Sequence, residues 1–338
     1  MALEDVPRRL IEFLDKYKTY FVIGHKEPDG DCLGSQLVMA SFLGRRGKEA
    51  FLFSAGPFDR KEIRHHEGRF AKRIPPELKD IPAGVIVLDC AALERIGDLA
   101  QDIGGREIAV IDHHPSGDPF FGDIRYLVTS APCVTLLVQK IIEACGGEPT
   151  REEAHLIFSG FSTDTGFFRH LENEAEDVLR MLSRLAGKGI TPKRIYRETH
   201  GSYSRESRAF IADALKTMEI FHGGRLIFVH ELLEHARRFQ GEHRQTDTVY
   251  QLLLATEGCE ALAFIREEAE GKTAVSLRSQ DAIDVGRICR DFGGGGHKNA
   301  AGFTTPLPFA EIRAALIEYF KKTFAPIQAG NQPKKENP

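Results

Sequence analysis

Apolar residues along the first half of the chain fall in short, compact runs separated by stretches of helical period. Tyr20 to Ile23, Ala50 to Phe53, Val85 to Leu88 and Ile108 to Ile111 are rich in β-branched or aromatic side chains, as expected of strands buried on both faces. Between and after them the spacing predicts helices, among them Leu33 to Leu43 and Arg151 to Phe161. Near the N-terminus Leu10, Ile11, Phe13 and Leu14 recur at helical spacing, with acidic residues before them. That predicts an amphipathic first helix and not a signal peptide. Strand–helix alternation of this kind predicts an α/β fold: a mainly parallel sheet flanked by helices on both faces.

The pattern breaks at Gly187 to Pro192, where Gly and Pro mark a helix stop and a connector. A helix over roughly Ser204 to Ile220 is expected to link the two halves. Apolar runs at Leu226 to Val229, Ala261 to Ile265 and Ala274 to Leu277, separated by helical segments, predict a smaller α+β C-terminal domain. The expected organisation is a first domain over 1–190, a connector and linking helix over 191–220, and a second domain over 221–325. A frayed tail over 326–338, rich in Pro, Lys and Asn, follows.

Composition narrows the function classes. The chain has 338 residues, 42% hydrophobic and 28% charged, enough to bury ordinary cores in two domains. A formal net charge of −4 argues against coating long nucleic acid by bulk electrostatics, and no aromatic-rich basic groove for long strands is evident. Six scattered cysteines without a CxxC pair speak against a disulfide framework and for a reducing compartment. With no apolar run near the ~20 residues of a membrane helix, a cytoplasmic protein with no membrane partner is expected.

The chemistry gathers where the apolar strands end. The first is followed by His25, Asp29 and Asp31, then by Gly34 and Ser35 opening a helix; the third by Asp89; the fourth by Asp112, His113 and His114. Loops at the carboxyl ends of a parallel sheet converge, and Asp164 joins them if its helix ends over the same edge. Taken singly, Asp29-Gly30-Asp31 reads as a turn and Asp89 as a helix cap. Together, so many carboxylates would repel each other strongly without cations between them. Oxygen and imidazole donors suit Mn²⁺, with Mg²⁺ and other divalent ions possible. Cys32 and Cys90, beside these residues, read as small apolar packing residues, and His65-His66 as solvent-exposed. In the second half, Arg278 and Ser279 precede a run, Gly293 to Gly296, that ends in His297. Its amides, with Arg278 and His297 as donors, suit a bound phosphate.

With these residues in hand, the chain resembles the DHH phosphoesterase family, in its nanoRNase/pAp-phosphatase branch with a DHH-associated C-terminal domain. HKEPDGDCLGS, VLDCA, IDHHP, STDTG and FGGGGHKNAAGF stand in the family's order, from about Val22 to Phe303. The stretch Val128 to Leu137 departs from it, with a Pro and no Glu shortly after Thr135. The resemblance implies two divalent metal ions, one held by His25, Asp29 and Asp89, the other by Asp31, Asp89, His113 and Asp164, with Asp89 bridging. It implies that His114 acts on the scissile phosphate and that Asp112 fixes an imidazole, these two and Asp89 forming the catalytic set. Arg278, Ser279, Gly293, Gly294, Gly295, Gly296 and His297 would grip substrate phosphate across a cleft between the domains. The expected substrates are short single-stranded RNA of two to four nucleotides, dinucleotides and 3′-phosphoadenosine 5′-phosphate (pAp), not long duplexes. A phosphodiesterase of linear or cyclic signalling dinucleotides and a non-catalytic nucleotide-binding regulator are the alternatives, and the oligomeric state, a homodimer included, stays open.

Overall fold

A computed structural model describes residues 3–115, 117–171, 175–201, 203–239, 244–268, 271–280 and 283–324. The chain divides into two compact units, 1–202 and 203–338. The tail assigned to 326–338 lies outside the described residues.

The first unit is built on β1 (Thr19–Ile23), β2 (Glu49–Phe53), β3 (Ala83–Leu88), β4 (Ile108–Asp112) and β5 (Ile124–Leu127). They form one fully parallel sheet in the order β2-β1-β3-β4-β5. Strands β1 and β3 are buried along their whole length, which is why they read as unbroken apolar runs. The edge strand β5, missed by pattern, alternates buried and half-buried positions and carries Arg125. On one face Tyr20, Val22, Ile86, Leu88, Ala109 and Ile111 join a core with α1 (Arg8–Lys16), α2 (Gly30–Arg45), α4 (Val134–Ala144), α5 (Arg151–Asp164) and α6 (Ala175–Gly187). The other face, with Phe21, Ile23, Phe53, Val85, Val87 and Val110, is covered less regularly than expected. A 3₁₀ segment over Leu93–Gln101 and the one-turn α3 (Pro76–Lys79) lie there. Helix α7 (Pro192–Thr199) closes the unit, beginning at the proline that the sequence marks as a breaker.

The second unit opens with α8 (Arg205–Lys216), shorter than the linking helix expected to reach Ile220. Thr217 ends it, and Glu219–Phe221 forms β6 instead, paired antiparallel with β7 (Leu226–Glu231). After α9 (Leu233–Arg238) and α10 (Thr246–Leu254) come β8 (Ala261–Glu267) and β9 (Thr273–Ser279). Then follow α11 (Val285–Asp291), β10 (Gly295–Gly296), β11 (Ala300–Thr305) and α12 (Phe309–Phe324). The sheet runs β10-β11-β9-β8-β7-β6. It is antiparallel except for the β7–β8 pair. Its two faces pack into separate cores, one with α11 and α12, the other with α8 and α10.

Candidate active site

Strand order reverses direction at the β1–β3 pair, with β2 on one side and β4 beyond the other. In parallel sheets that junction opens a crevice at the carboxyl ends of the strands. The residues that follow β1, β3 and β4 stand there. Asp29 caps α2, its Oδ1 accepting from the amides of Asp31 and Cys32, both at 3.0 Å. Buried Gln36 donates to the carbonyls of Val22 and Phe53, tying α2 to β1 and β2. Asp31, fully buried in the first turn of α2, accepts from the amides of Val134 at 2.6 Å and Thr135 at 2.8 Å. It therefore also holds the start of α4. Asp164 is the last residue of α5, and Gly166, Phe167 and Phe168 after it all have positive φ, at 55°, 56° and 75°. The Thr165 hydroxyl locks this turn, accepting from the Phe168 amide and donating to the Phe161 carbonyl.

Backbone carbonyls orient two of the imidazoles. His25 Nδ1 is 2.7 Å from the Lys26 oxygen and His113 Nδ1 is 3.0 Å from the Ala131 oxygen. A carbonyl only accepts, so each Nδ1 carries a proton and each ring turns Nε2 inward, where a neutral ring presents a lone pair. There His25 Nε2 meets Asp89 Oδ2 at 3.3 Å, and His113 Nε2 meets Asp164 Oδ2 at 3.3 Å and Asp89 Oδ1 at 3.6 Å. His114 Nδ1 donates to Asp112 Oδ1 at 2.8 Å, and the same oxygen accepts from the His113 and His114 amides.

Lone pairs facing carboxylate oxygens at such distances repel unless a cation or a proton lies between them. Burial pushes the Asp89 carboxyl well above the usual range, and Asp31, Asp29, Asp164 and Asp112 push it further. Asp164 is raised well above its ordinary value by burial and by Asp31 and Asp29, against the opposing charge of Arg60. Asp31 is raised by burial and by Asp29, against His113 and the Thr135 hydrogen bonds. Burial would raise Asp112 too, but the hydrogen bonds from His114 and the two amides outweigh it and leave it lowered. Asp89 Oδ1 and Asp112 Oδ2 are buried without a hydrogen-bond partner. These are the marks of a cation site.

Among the described residues three groups of side chains could hold an ion, each with ligand atoms within 4.8 Å of one another: Asp31, His113 and Asp164; His25, Cys32 and Asp89; Asp89, Asp112, His113 and His114. Asp89 belongs to two of them. It adopts φ 61°, a left-handed conformation that Asp tolerates better than bulkier residues. Asp29 stays outside the three groups, its Oδ1 engaged as a cap, although its charge is felt at Asp31 and Asp89. Cys32 stands among the donors where only oxygen and imidazole were expected, but burial pushes its thiol far up and keeps it neutral. Cys90 is buried too, its thiol raised to about 11.

Two cations escaped the sequence reading. The charge of Arg95 reaches His25 and Cys90. With Ala92, Asp112, His114 and Asp118 it lines a cavity of about 330 Å³. Arg60 opposes the repulsion at Asp164. Neither has a periodic or motif signal; only the fold brings them to the acidic cluster.

In the second unit the expected phosphate residues cluster around β9 to β11. The Arg278 guanidinium lies over the Tyr250 ring at 4.5 Å and donates to the Leu277 carbonyl. Ser279 is turned inward, its hydroxyl donating to the Ile283 carbonyl at 2.6 Å, so it braces the turn. Within the Gly run, a Cβ at Gly294 would come 2.3 Å from the Gly302 carbonyl, and Gly296 takes φ 139°. Gly293 and Gly295 have open space about them. The run thus enters the sheet as β10 and is not a free loop. His297, exposed, begins the turn into β11.

Comparison with known proteins agrees with this architecture. The DHH family N-terminal domain matches residues 19–161 and the DHHA1 domain residues 228–324. The bifunctional oligoribonuclease and PAP phosphatase NrnA of Thermus thermophilus is 31% identical over 297 residues, covering 84% of this chain and 83% of that protein. An exopolyphosphatase-related protein from Bacteroides fragilis superposes with a TM-score of 0.82 at 22% identity, over 93% of this chain and 95% of the other. Exonuclease RecJ bound to manganese superposes with a TM-score of 0.54 at 17% identity, over 96% of each chain. The chain belongs to the DHH family and is a hydrolase of phosphoester bonds.

Proposed function

We propose that the protein hydrolyses short oligoribonucleotides and pAp with the help of two divalent metal ions, Mn²⁺ being the ion its donors suit best. The observation that carries this reading is the buried Asp89 carboxylate. It is shared between the His25 side and the His113–Asp164 side of the cluster and keeps one oxygen without a partner. The relationship to an oligoribonuclease and PAP phosphatase supports the substrate class, and the manganese-bound RecJ supports the ion.

In this reading His25, Asp29 and Asp89 hold one ion, and Asp31, Asp89, His113 and Asp164 the other. When bound, the pair neutralises the clustered carboxylates and acidifies a water for in-line attack at phosphorus. The protein's own part is orientation and charge. His25 and His113 keep Nε2 inward because their Nδ1 protons are spent on carbonyls. Asp112 fixes the His114 ring, whose Nε2, when protonated, donates to a phosphoryl oxygen as charge builds there. Arg278, His297 and the glycine amides of the second unit are assigned to a further substrate phosphate, with Ser279 shaping the turn that presents them.

The test is hydrolysis by metal-stripped protein resupplied with Mn²⁺. The panel holds pAp, a 5′-phosphorylated dinucleotide, a longer RNA, linear and cyclic di-adenylate, and pyrophosphate. Turnover that falls with oligomer length, with pAp also cleaved, is expected. Exclusive turnover of the di-adenylates would move the protein to signalling-nucleotide breakdown. Tight binding without turnover would make it a regulator.

A further inference from the structure

We propose that a second, larger cavity of the first unit is the subsite for a nucleoside flanking the scissile phosphate. This rests on the function proposed above and adds the place where the organic part of the substrate sits. The cavity measures about 780 Å³, within the range of small-molecule sites and far more than a phosphate needs. All its lining residues belong to the first unit.

Its position follows from two residues. Gly30 stands between Asp29 and Asp31, Thr163 directly precedes Asp164, and both line the cavity. A Cβ at Gly30 would come 2.6 Å from the Thr163 hydroxyl, so the start of α2 and the end of α5 touch there. The cavity thus begins beside the acidic cluster. From that point Gly30, Leu33, Gly34 and Leu37 recur at the spacing of one helical face, carrying the wall about 10 Å away from the cluster.

The chemistry of the lining changes along this path. Leu33, Leu37, Ile63 and Leu156 give an apolar floor. His65 and His66, with ring centroids 3.8 Å apart, stand over it. His66 is half-buried, and burial and the neighbouring His65 hold it down to about 4, so its ring is uncharged at neutral pH. The uncharged His66 ring beside an aliphatic floor suits a nucleobase, and stacking of that kind tolerates any base. At the rim, Glu198 is taken up by His155 at 2.9 Å and Arg194 at 2.7 Å. Arg197 has no ion pair among the described residues and is exposed. It is placed to meet the next phosphate of an oligonucleotide. The 330 Å³ cavity beside His114 is smaller and walled by Glu94, Arg95, Asp112 and Asp118. Its polar walls do not offer a base the same floor.

Ser159→Trp would fill the cavity from α5, and Arg197→Glu would reverse the charge at its rim. Both are compared with wild type for kcat/KM on a 5′-phosphorylated dinucleotide and on methyl p-nitrophenyl phosphate, which has no nucleoside. Melting temperature and bound Mn²⁺ are measured alongside. Each variant is expected to lower the ratio of dinucleotide to nucleoside-free activity by tenfold or more, at wild-type metal content. An unchanged ratio in both variants would overturn the subsite, whether activity as a whole is retained or lost. Wild-type protein that cleaves the small ester but no dinucleotide would overturn the proposed function itself, and the subsite with it.

Discussion

At the scale of single residues, Asp89 concentrates opposing demands. Its carboxylate is buried, lacks a partner at Oδ1 and faces the charges of four other aspartates. Without cations this arrangement works against the fold, because buried like charges repel and no water screens them. Asp89→Asn keeps the shape and removes one charge. In metal-free protein it should raise the melting temperature by roughly 2–4 °C for each kcal/mol of repulsion relieved, while abolishing most of the stabilisation that Mn²⁺ gives the wild type. Activity should fall by ~10²-fold or more. A thermal melt with and without Mn²⁺ checks the first part; a lower metal-free melting temperature would show that Asp89 has a stabilising partner instead. Asp112 is a different case. It touches His114 and two amides, so Asp112→Asn should leave the ring adrift and cost about 10–100-fold in turnover. Two bound ions per chain, measured by elemental analysis, should remain.

At the scale of elements, the irregular cover on one face of the first sheet is held by apolar packing and cross-linked by one carboxylate. Asp102, at the end of the Leu93–Gln101 segment, accepts from Arg73 Nε at 2.8 Å and Nη2 at 3.0 Å, and pairs with Lys79 at 3.3 Å. It thereby ties that segment to α3 and the residues before it. The Arg73 hydrogen bonds, helped by Lys79 and the Ile74 amide, hold the Asp102 carboxyl down to about 2. A carboxyl lowered on folding contributes stability at pH values above its ordinary range near 4 and loses it as pH falls to 2. Because Arg73 is half exposed, the contribution is about 1–2 kcal/mol and no more. Asp102→Asn should therefore lower the unfolding midpoint in urea at pH 7, and the gap to wild type should close between about pH 4 and pH 2. A gap independent of pH would mean that lost packing, not charge, carries the effect. The same face explains what the sequence did and did not disclose. Strands buried on both sides, such as β1 and β3, announce themselves as apolar runs, and His25, Asp89 and Asp112 to His114 were legible as candidate ligands because they follow strand ends closely. Edge strand β5, with Arg125 and a weak alternation, and β11, whose Ala300, Ala301 and Gly302 bury little, carry no comparable signal. Arg60 and Arg95, like the large cavity whose lining spans residues 30 to 199, depend on tertiary packing and leave no local pattern. The inward turn of Ser279 is likewise set by its hydrogen bond to Ile283, invisible in a motif that shows only a serine beside an arginine.

At the scale of the whole molecule, the balance of charge separates a short-substrate hydrolase from an enzyme that tracks along strands. Lys and Arg number 45 against 49 Asp and Glu, so positive potential must come from local groups. On the proposed function these are the bound ions at the acidic cluster, together with Arg197 and Arg278. A single strand held by Z phosphate contacts loses affinity with salt at a slope of about −0.7Z on logarithmic axes. Two or three contacts give a slope between about −1.4 and −2.1, whereas an extended groove with six to ten gives roughly −4 to −7. The logarithm of kcat/KM for a 5′-phosphorylated trinucleotide, plotted against that of KCl concentration, should follow the shallow line. Arg278 is stacked on Tyr250, which holds its guanidinium in place to meet a phosphate. Arg278→Ala should therefore make the line shallower by about 0.7, with metal content unchanged because the proposed metal donors all belong to the first unit. A steep slope in the wild type would mean that long RNA is engaged along a surface beyond these residues. An unaltered slope in Arg278→Ala would place the phosphate contact elsewhere on β9 to β11.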